Sequence, residues 1–181
     1  VASPTAIQGL ANEFGLPFVA APSAPVGSSF RLRLPRVGLY RRYQGGNSDE
    51  GWTRWIFDTW EFPYTRVEAA DIWASELNSR FDVLIVPDDG LPALIGSNSA
   101  APSEYISGSQ AYPPEYRQGL GNIGVQALQD FVREGGTLVL LDRASELAIQ
   151  RFGIPVTNVV GGLSSRDFYA PGSMLRVEFD P

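Results

Sequence analysis

The sequence predicts an α/β fold: a three-layer, mostly parallel, doubly wound sheet. Three observations carry that prediction. Short apolar runs, VGLY at 37–40, FDVLIVP at 81–87 and TLVLLD at 137–142, have the hydrophobicity of strands buried on both faces. Other segments place apolar residues at helical spacing: Trp52, Trp55, Ile56 and Trp60, then Ile123, Ala127, Leu128, Phe131 and Val132. The two kinds alternate along the chain, as right-handed βαβ units require.

Taken in order, Pro4 to Gly15 reads as a short helix, with Ile7, Leu10, Ala11 and Phe14 on one stripe and Gly15 as its C-cap. Phe18 to Phe30 is rich in Pro, Ala, Ser and Gly. It is either an arm leading in from something upstream or an N-terminal arm wrapped on a self-contained domain. Residues 1–35 are therefore assigned to a helix and linker arm, and 36–181 to the α/β domain. Within the domain, Val37–Tyr40 is the first strand. Asp49 and Glu50 form the acidic start of the tryptophan-bearing helix. Tyr64 to Val67 is a second strand and Ala69 to Arg80 includes a short helix. Asp88 to Leu120, long and rich in Ser, Gly, Pro and Tyr, reads as one extended loop. After the helix at 123–132, Gly135-Gly136 ends the turn and Thr137–Asp142 is the next strand. Ser145 N-caps a helix to Phe152, closed by Gly153. Val156–Val160 and Met174–Phe179 read as two later strands.

Composition excludes several classes of function. The chain has 181 residues, a formal net charge of −6, no cysteine and no histidine. All 14 basic residues are arginine and they are scattered, which argues against a nucleic-acid partner. Without lysine there is no Schiff-base chemistry, and without cysteine there is neither disulfide nor thiolate. No stretch of about 18 apolar residues is present to span a membrane. Zinc sites draw mainly on Cys and His, so no metal site and no cofactor are predicted.

In a doubly wound sheet, ligands bind beyond the carboxyl ends of the strands. That rule selects the loops after Tyr40, Pro87 and Leu141. Arg41, Asp88, Asp89, Asp142 and Arg143 lie there, and their side chains are expected either to neutralise one another or to bind a ligand. Adjacent residues of a strand face apart, so Asp88 and Asp89 are not expected to form a dyad. Gly121 opens the run GNIG, which offers backbone N–H groups to an anion or simply eases helix entry. Ser145 is a helix cap or, with an assisting carboxylate, a nucleophile. The set Trp52, Trp55, Trp60, Tyr64 and Trp73 is assigned mainly to the core, with Trp52 and Tyr43 the best candidates for exposure. Tyr105, Tyr112 and Tyr116, with Pro113-Pro114, offer a docking surface in the long loop.

The run from Arg36 to Pro181 resembles the amidotransferase-like domain that follows the zinc carboxypeptidase domain in certain bacterial proteins of the M14 metallopeptidase family. The stretches RVGLY, DEGWTRWIFDTWEFPYT, FDVLIVPD, PPEYRQGLGNIGVQALQDFVREGGTLVLLDRASELAI and FGIPVTNV carry the likeness, and LANEFGLPFVA is similar to the connector. The resemblance implies a flavodoxin-like, class I glutamine amidotransferase-like sheet. It also implies a longer parent protein, an adjacent peptidase domain as partner, and a secreted or periplasmic setting. It places the nucleophile turn at Asp142–Ser145 and the oxyanion glycines at Asp88-Asp89-Gly90. Active members use cysteine and histidine, and this chain has neither. The implied function is thus a non-catalytic accessory domain with no catalytic residues. Two alternatives are a module binding a sugar or peptide fragment in the former active-site cleft, and a residual hydrolase using Ser145 or a metal.

Overall fold

The computed structural model describes residues 3–19, 23, 26–28, 30, 32–42, 46–74, 76–96, 119–170 and 176. The chain divides into two units, 1–33 and 34–181. The first unit holds α1, Pro4–Phe14. Ser3 caps it: its Oγ accepts from the Ala6 N–H at 3.2 Å. Gly15 ends it in the left-handed region, at φ 62°. No residue of α1 is buried: Ile7 and Ala11 of its apolar stripe are half-buried, and Leu10 and Phe14 are exposed.

The second unit is built on a four-stranded, all-parallel sheet in the order β2-β1-β3-β4. The strands are β1 (Val37–Tyr40), β2 (Thr65–Val67), β3 (Val83–Val86) and β4 (Thr137–Leu140). The helices are α2 (Ser48–Thr59), α3 (Ala69–Trp73), α4 (Leu77–Arg80), α5 (Leu91–Ile95), α6 (Gly121–Arg133) and α7 (Glu146–Arg151).

Register and the period of two assign the faces. Tyr40 pairs with Val67, Leu84 with Leu138, and Val86 with Leu140. These residues line one face, with Ile72, Leu77, Leu94, Leu128, Phe131 and Leu147 from the helices packed against it. Gly38 lies on that face because nothing larger fits. A Cβ there would stand 2.5 Å from Leu84 Cδ2 and 2.9 Å from Val67 Cγ2. The opposite face carries Val37, Leu39, Arg66, Val83, Ile85 and Val139. Arg66 reaches Glu50 of α2 at 3.8 Å, so α2 lies across this second face. Its cover is incomplete: Leu39 is fully buried, while Val83, Ile85 and Val139 are half-buried.

Several expectations are corrected. Val156–Val160 is not a strand: 156–158 are irregular and 159–160 form a turn, with Val156 and Val159 exposed. The cause is local: Asn158 Oδ1 accepts from the Val160 N–H, a side-chain turn that competes with extended backbone. The short helix expected within 69–80 is present as α3, and a second, α4, follows Glu76, which sits in the left-handed region at φ 56°. The segment read as one long loop contains α5, and its last residue, Leu120, donates its N–H to the Leu94 carbonyl at 2.7 Å just before α6 begins. Ser145 sits at the head of α7 but does not cap it. A 3-10 turn, Asp142–Ser145, leads in, and Ser145 Oγ donates to the Asp142 carbonyl.

The largest correction concerns α2. Trp52, the expected candidate for exposure, is 65% exposed, but Trp55 and Trp60, expected in the core, are 59% and 79% exposed as well. Trp73 does pack inward, half-buried, with its Nε1 donating to the Leu120 carbonyl at 2.7 Å. Tyr64 is half-buried. Tyr43, Tyr105, Tyr112, Tyr116, the Pro113-Pro114 pair and the strand expected at 174–179, apart from Arg176, lie outside the described residues.

Candidate functional site

The parallel sheet brings three strand ends together, and each end supplies charge. Beyond β3 the chain runs Pro87-Asp88-Asp89-Gly90, and the two carboxylates face apart. Asp88 turns toward β4 and Asp89 toward β1. Asp88 grips Arg143 in a fork: Oδ1 accepts from Nε at 3.0 Å and Oδ2 from Nη2 at 2.9 Å. Oδ1 also accepts the Arg143 backbone N–H at 3.1 Å. This paired geometry raises the Arg143 pKa, the hydrogen bond to Asp88 being the main cause.

Asp89 is buried, and Arg42 reaches it at 2.7 Å while also donating to the Gly46 carbonyl at 3.0 Å. Arg41 was the residue singled out in the sequence, but its guanidinium goes to Glu68 of the neighbouring strand end at 3.7 Å. The reason is backbone direction. The Arg41 N–H still donates to the Val67 carbonyl, so Arg41 prolongs the β1–β2 pairing and Arg42 is the first residue free to cross over. Asn47 is a further contributor that sequence reasoning missed. It caps α2 through Oδ1, at 2.9 Å to the Asp49 N–H, and its Nδ2 donates to the Asp88 carbonyl at 3.0 Å. An Asn followed by Ser-Asp-Glu is a recognisable cap signal.

Tyr40 closes the floor between these strand ends. Burial pushes its phenol well above the usual tyrosine range, and the nearby Asp89 charge adds to the effect.

Beyond β4, Asp142 occupies the left-handed region at φ 46°. For a residue with a Cβ this costs on the order of 1 kcal/mol. The turn it makes starts the 3-10 segment and opens an adjacent cleft. That cleft has a volume of about 760 Å³ and an open mouth, and Leu91, Asp142, Arg143, Glu146, Ile149 and Asn158 are among its lining. Glu146 accepts from Asn158 Nδ2 at 2.6 Å and Gln150 Nε2 at 2.7 Å. Those two bonds, Asn158's first, hold its carboxyl below the ordinary range.

Of the seven residues picked from the sequence, Asp142, Arg143 and Ser145 line this cleft. Asp88 stands behind Arg143, and Asp89 and Arg41 belong to separate ion pairs. Gly121 starts α6 with φ 59° and is not part of the cleft wall. Among the described residues, no group of three or more acidic side chains is arranged to hold a metal ion. No helix among them is long and apolar enough to cross a membrane. Searches against protein-family models, curated proteins and solved structures find no match to this chain.

Proposed function

We propose that this chain is a non-catalytic, amidotransferase-like accessory domain with a flavodoxin-like, doubly wound sheet, belonging to a zinc carboxypeptidase-like protein of the M14 family. One observation supports the reading above the others. At the turn after β4, where the resembling enzymes carry their nucleophile, this chain has Asp142 in a left-handed backbone conformation, followed by Arg143 locked onto Asp88. A sharp strand-to-helix turn is present, but the side chains at it form an ion pair. The chain contains neither cysteine nor histidine to act as nucleophile and base. Ser145 is a poor substitute, since its hydroxyl proton is already given to the Asp142 carbonyl at 2.6 Å. The test compares peptidase activity of the parent protein with and without residues 36–181, alongside ammonia release from glutamine by the isolated chain. The reading expects ammonia at the buffer blank. Release that Ser145→Ala abolishes would overturn it.

A second reading is favoured by the cleft itself. Asp142, Arg143, Glu146 and Asn158 offer both donors and acceptors, and Leu91 and Ile149 offer apolar surface, around an open cleft with room for a small polar molecule. On this reading the domain recruits a sugar or peptide fragment. A thermal melt raised by such a compound in the wild type, and unmoved in Arg143→Ala, would select it over the first.

A further inference from the structure

Helix α2 is built inside out. On a helical projection Trp52, Trp55, Ile56, Thr59 and Trp60 share one face. That face points to solvent: Ile56 is 48% exposed, and the three indoles are more exposed still. The opposite side, which meets the sheet, carries Glu50, Arg54 and Phe57. Glu50 is buried with one carboxylate oxygen lacking a hydrogen bond, and Arg54 and Arg66 stand 3.9 and 3.8 Å from that oxygen. An ordinary surface helix of a two-sided sheet has the reverse arrangement. The open indoles and Ile56 present on the order of 500 Å² of apolar surface, near the upper end of what soluble monomers leave uncovered.

The rim of the stripe identifies what covers it. Asp49 lies on the stripe's side of the helix at the N-terminal end, Asp58 flanks Trp55, and Glu61 follows Trp60. All three are exposed, and among the described residues none has a cationic partner. The one arginine of the helix, Arg54, is turned to Glu50. A second copy of this chain is a poor cover. Antiparallel pairing would set Asp49 against Asp58 and Glu61, and parallel pairing would set Asp49 against itself. An anionic lipid surface is repelled by the same carboxylates. An extended saccharide finds no continuous platform on Trp52 and Trp55, which stand edge to face at 85°, with centroids 6.0 Å apart.

We infer that the outer face of α2 docks a protein surface with an apolar centre and a rim of arginine or lysine. Indoles fill the centre and also attract cations over their faces, while Asp49, Asp58 and Glu61 pair with the rim. This stands independently of the amidotransferase resemblance.

The test uses two synthetic amphipathic helical peptides with the same leucine stripe, one flanked by arginine and the other by glutamate, titrated into the whole chain by calorimetry. The arginine peptide is expected to bind at least tenfold more tightly. Trp55→Ala should weaken it at least tenfold, and Asp49→Arg with Asp58→Arg should turn the preference toward the glutamate peptide. The charge-reversed variant keeps the test valid if Trp55→Ala proves unstable. Equal binding, or none, for the two peptides in the wild type would overturn the inference. So would a concentration-dependent dimer in sedimentation that Trp55→Ala abolishes, or co-sedimentation with phosphatidylcholine vesicles.

Discussion

Arg143 illustrates how a single side chain separates two readings of the strand ends. Its fork onto Asp88 joins the end of β3 to the turn after β4, with the carboxylate mostly shielded and the guanidinium largely open. Arg143→Ala is expected to lower stability by about 1 kcal/mol, the modest value of a well-aligned but screened pair. Arg143→Lys should recover only part of it, because an ammonium cannot make the fork. Chemical denaturation of the three proteins checks both. Asp142 makes the opposite demand on its backbone. Asp142→Val is expected to cost about 1–2 kcal/mol, since a β-branched residue is strained at positive φ. Tyr40 supplies a pH test. Its phenol is held neutral above the ordinary tyrosine value, so at high pH the folded chain keeps a proton that the unfolded chain releases. Stability should therefore be level below about pH 10 and fall as pH rises through and beyond it. A denaturation series across that range, compared with Tyr40→Phe, measures the effect. Little of this was legible beforehand. The sequence marked the strand ends as charged, but the choice of Arg42 over Arg41 depends on where the β1–β2 pairing stops.

Among the elements, the strands were the most readable. Unbroken apolar runs between polar segments suit strands of a parallel sheet, and β1, β3 and β4 fall inside the predicted stretches. The run at 156–160 is less apolar, with Thr157 and Asn158 at its centre, and Asn158 diverts the backbone into a turn. Helical periodicity likewise located α2 and α6 correctly. For α6 it also identified part of the inner face, with Leu128 and Phe131 fully buried, though Ile123 and Val132 are exposed. For α2 it gave the stripe but not the direction in which the stripe points. Periodicity reports that one side differs from the other, and only packing decides which side is inward. Gly38 was invisible as a packing residue and is now among the most constrained. Gly38→Ala in β1 must displace Leu84 and Val67, and is expected to cost about 1–3 kcal/mol in chemical denaturation. A Leu84→Ala background should reduce that penalty by making room.

At the scale of the whole molecule, the coarse class was legible and the details of the site were not. An α/β unit with an all-parallel sheet follows from the alternation of strands and helices, and the structure has it. Function was read chiefly from what the chain lacks: removing cysteine and histidine removes the usual acyl-transfer machinery whatever the shape of the cleft. The cleft was anticipated only as a strand-end face. Part of its wall comes from Asn158 and its neighbours, in a segment read as a strand, so no reasoning from the expected elements would have drawn its outline.

The placement of the tryptophans also has an optical consequence. Of the four in the chain, three stand on the open face of α2 and only Trp73 is packed inward. Emission from the native chain should therefore already resemble that of indole in water, and unfolding should shift it little. Heating or denaturant, followed by intrinsic fluorescence, would report almost solely on Trp73 and would understate the cooperativity seen by circular dichroism. A blue shift on mixing with another protein would instead report directly on the environment of α2. For this chain, the usual probe of folding is chiefly a probe of association.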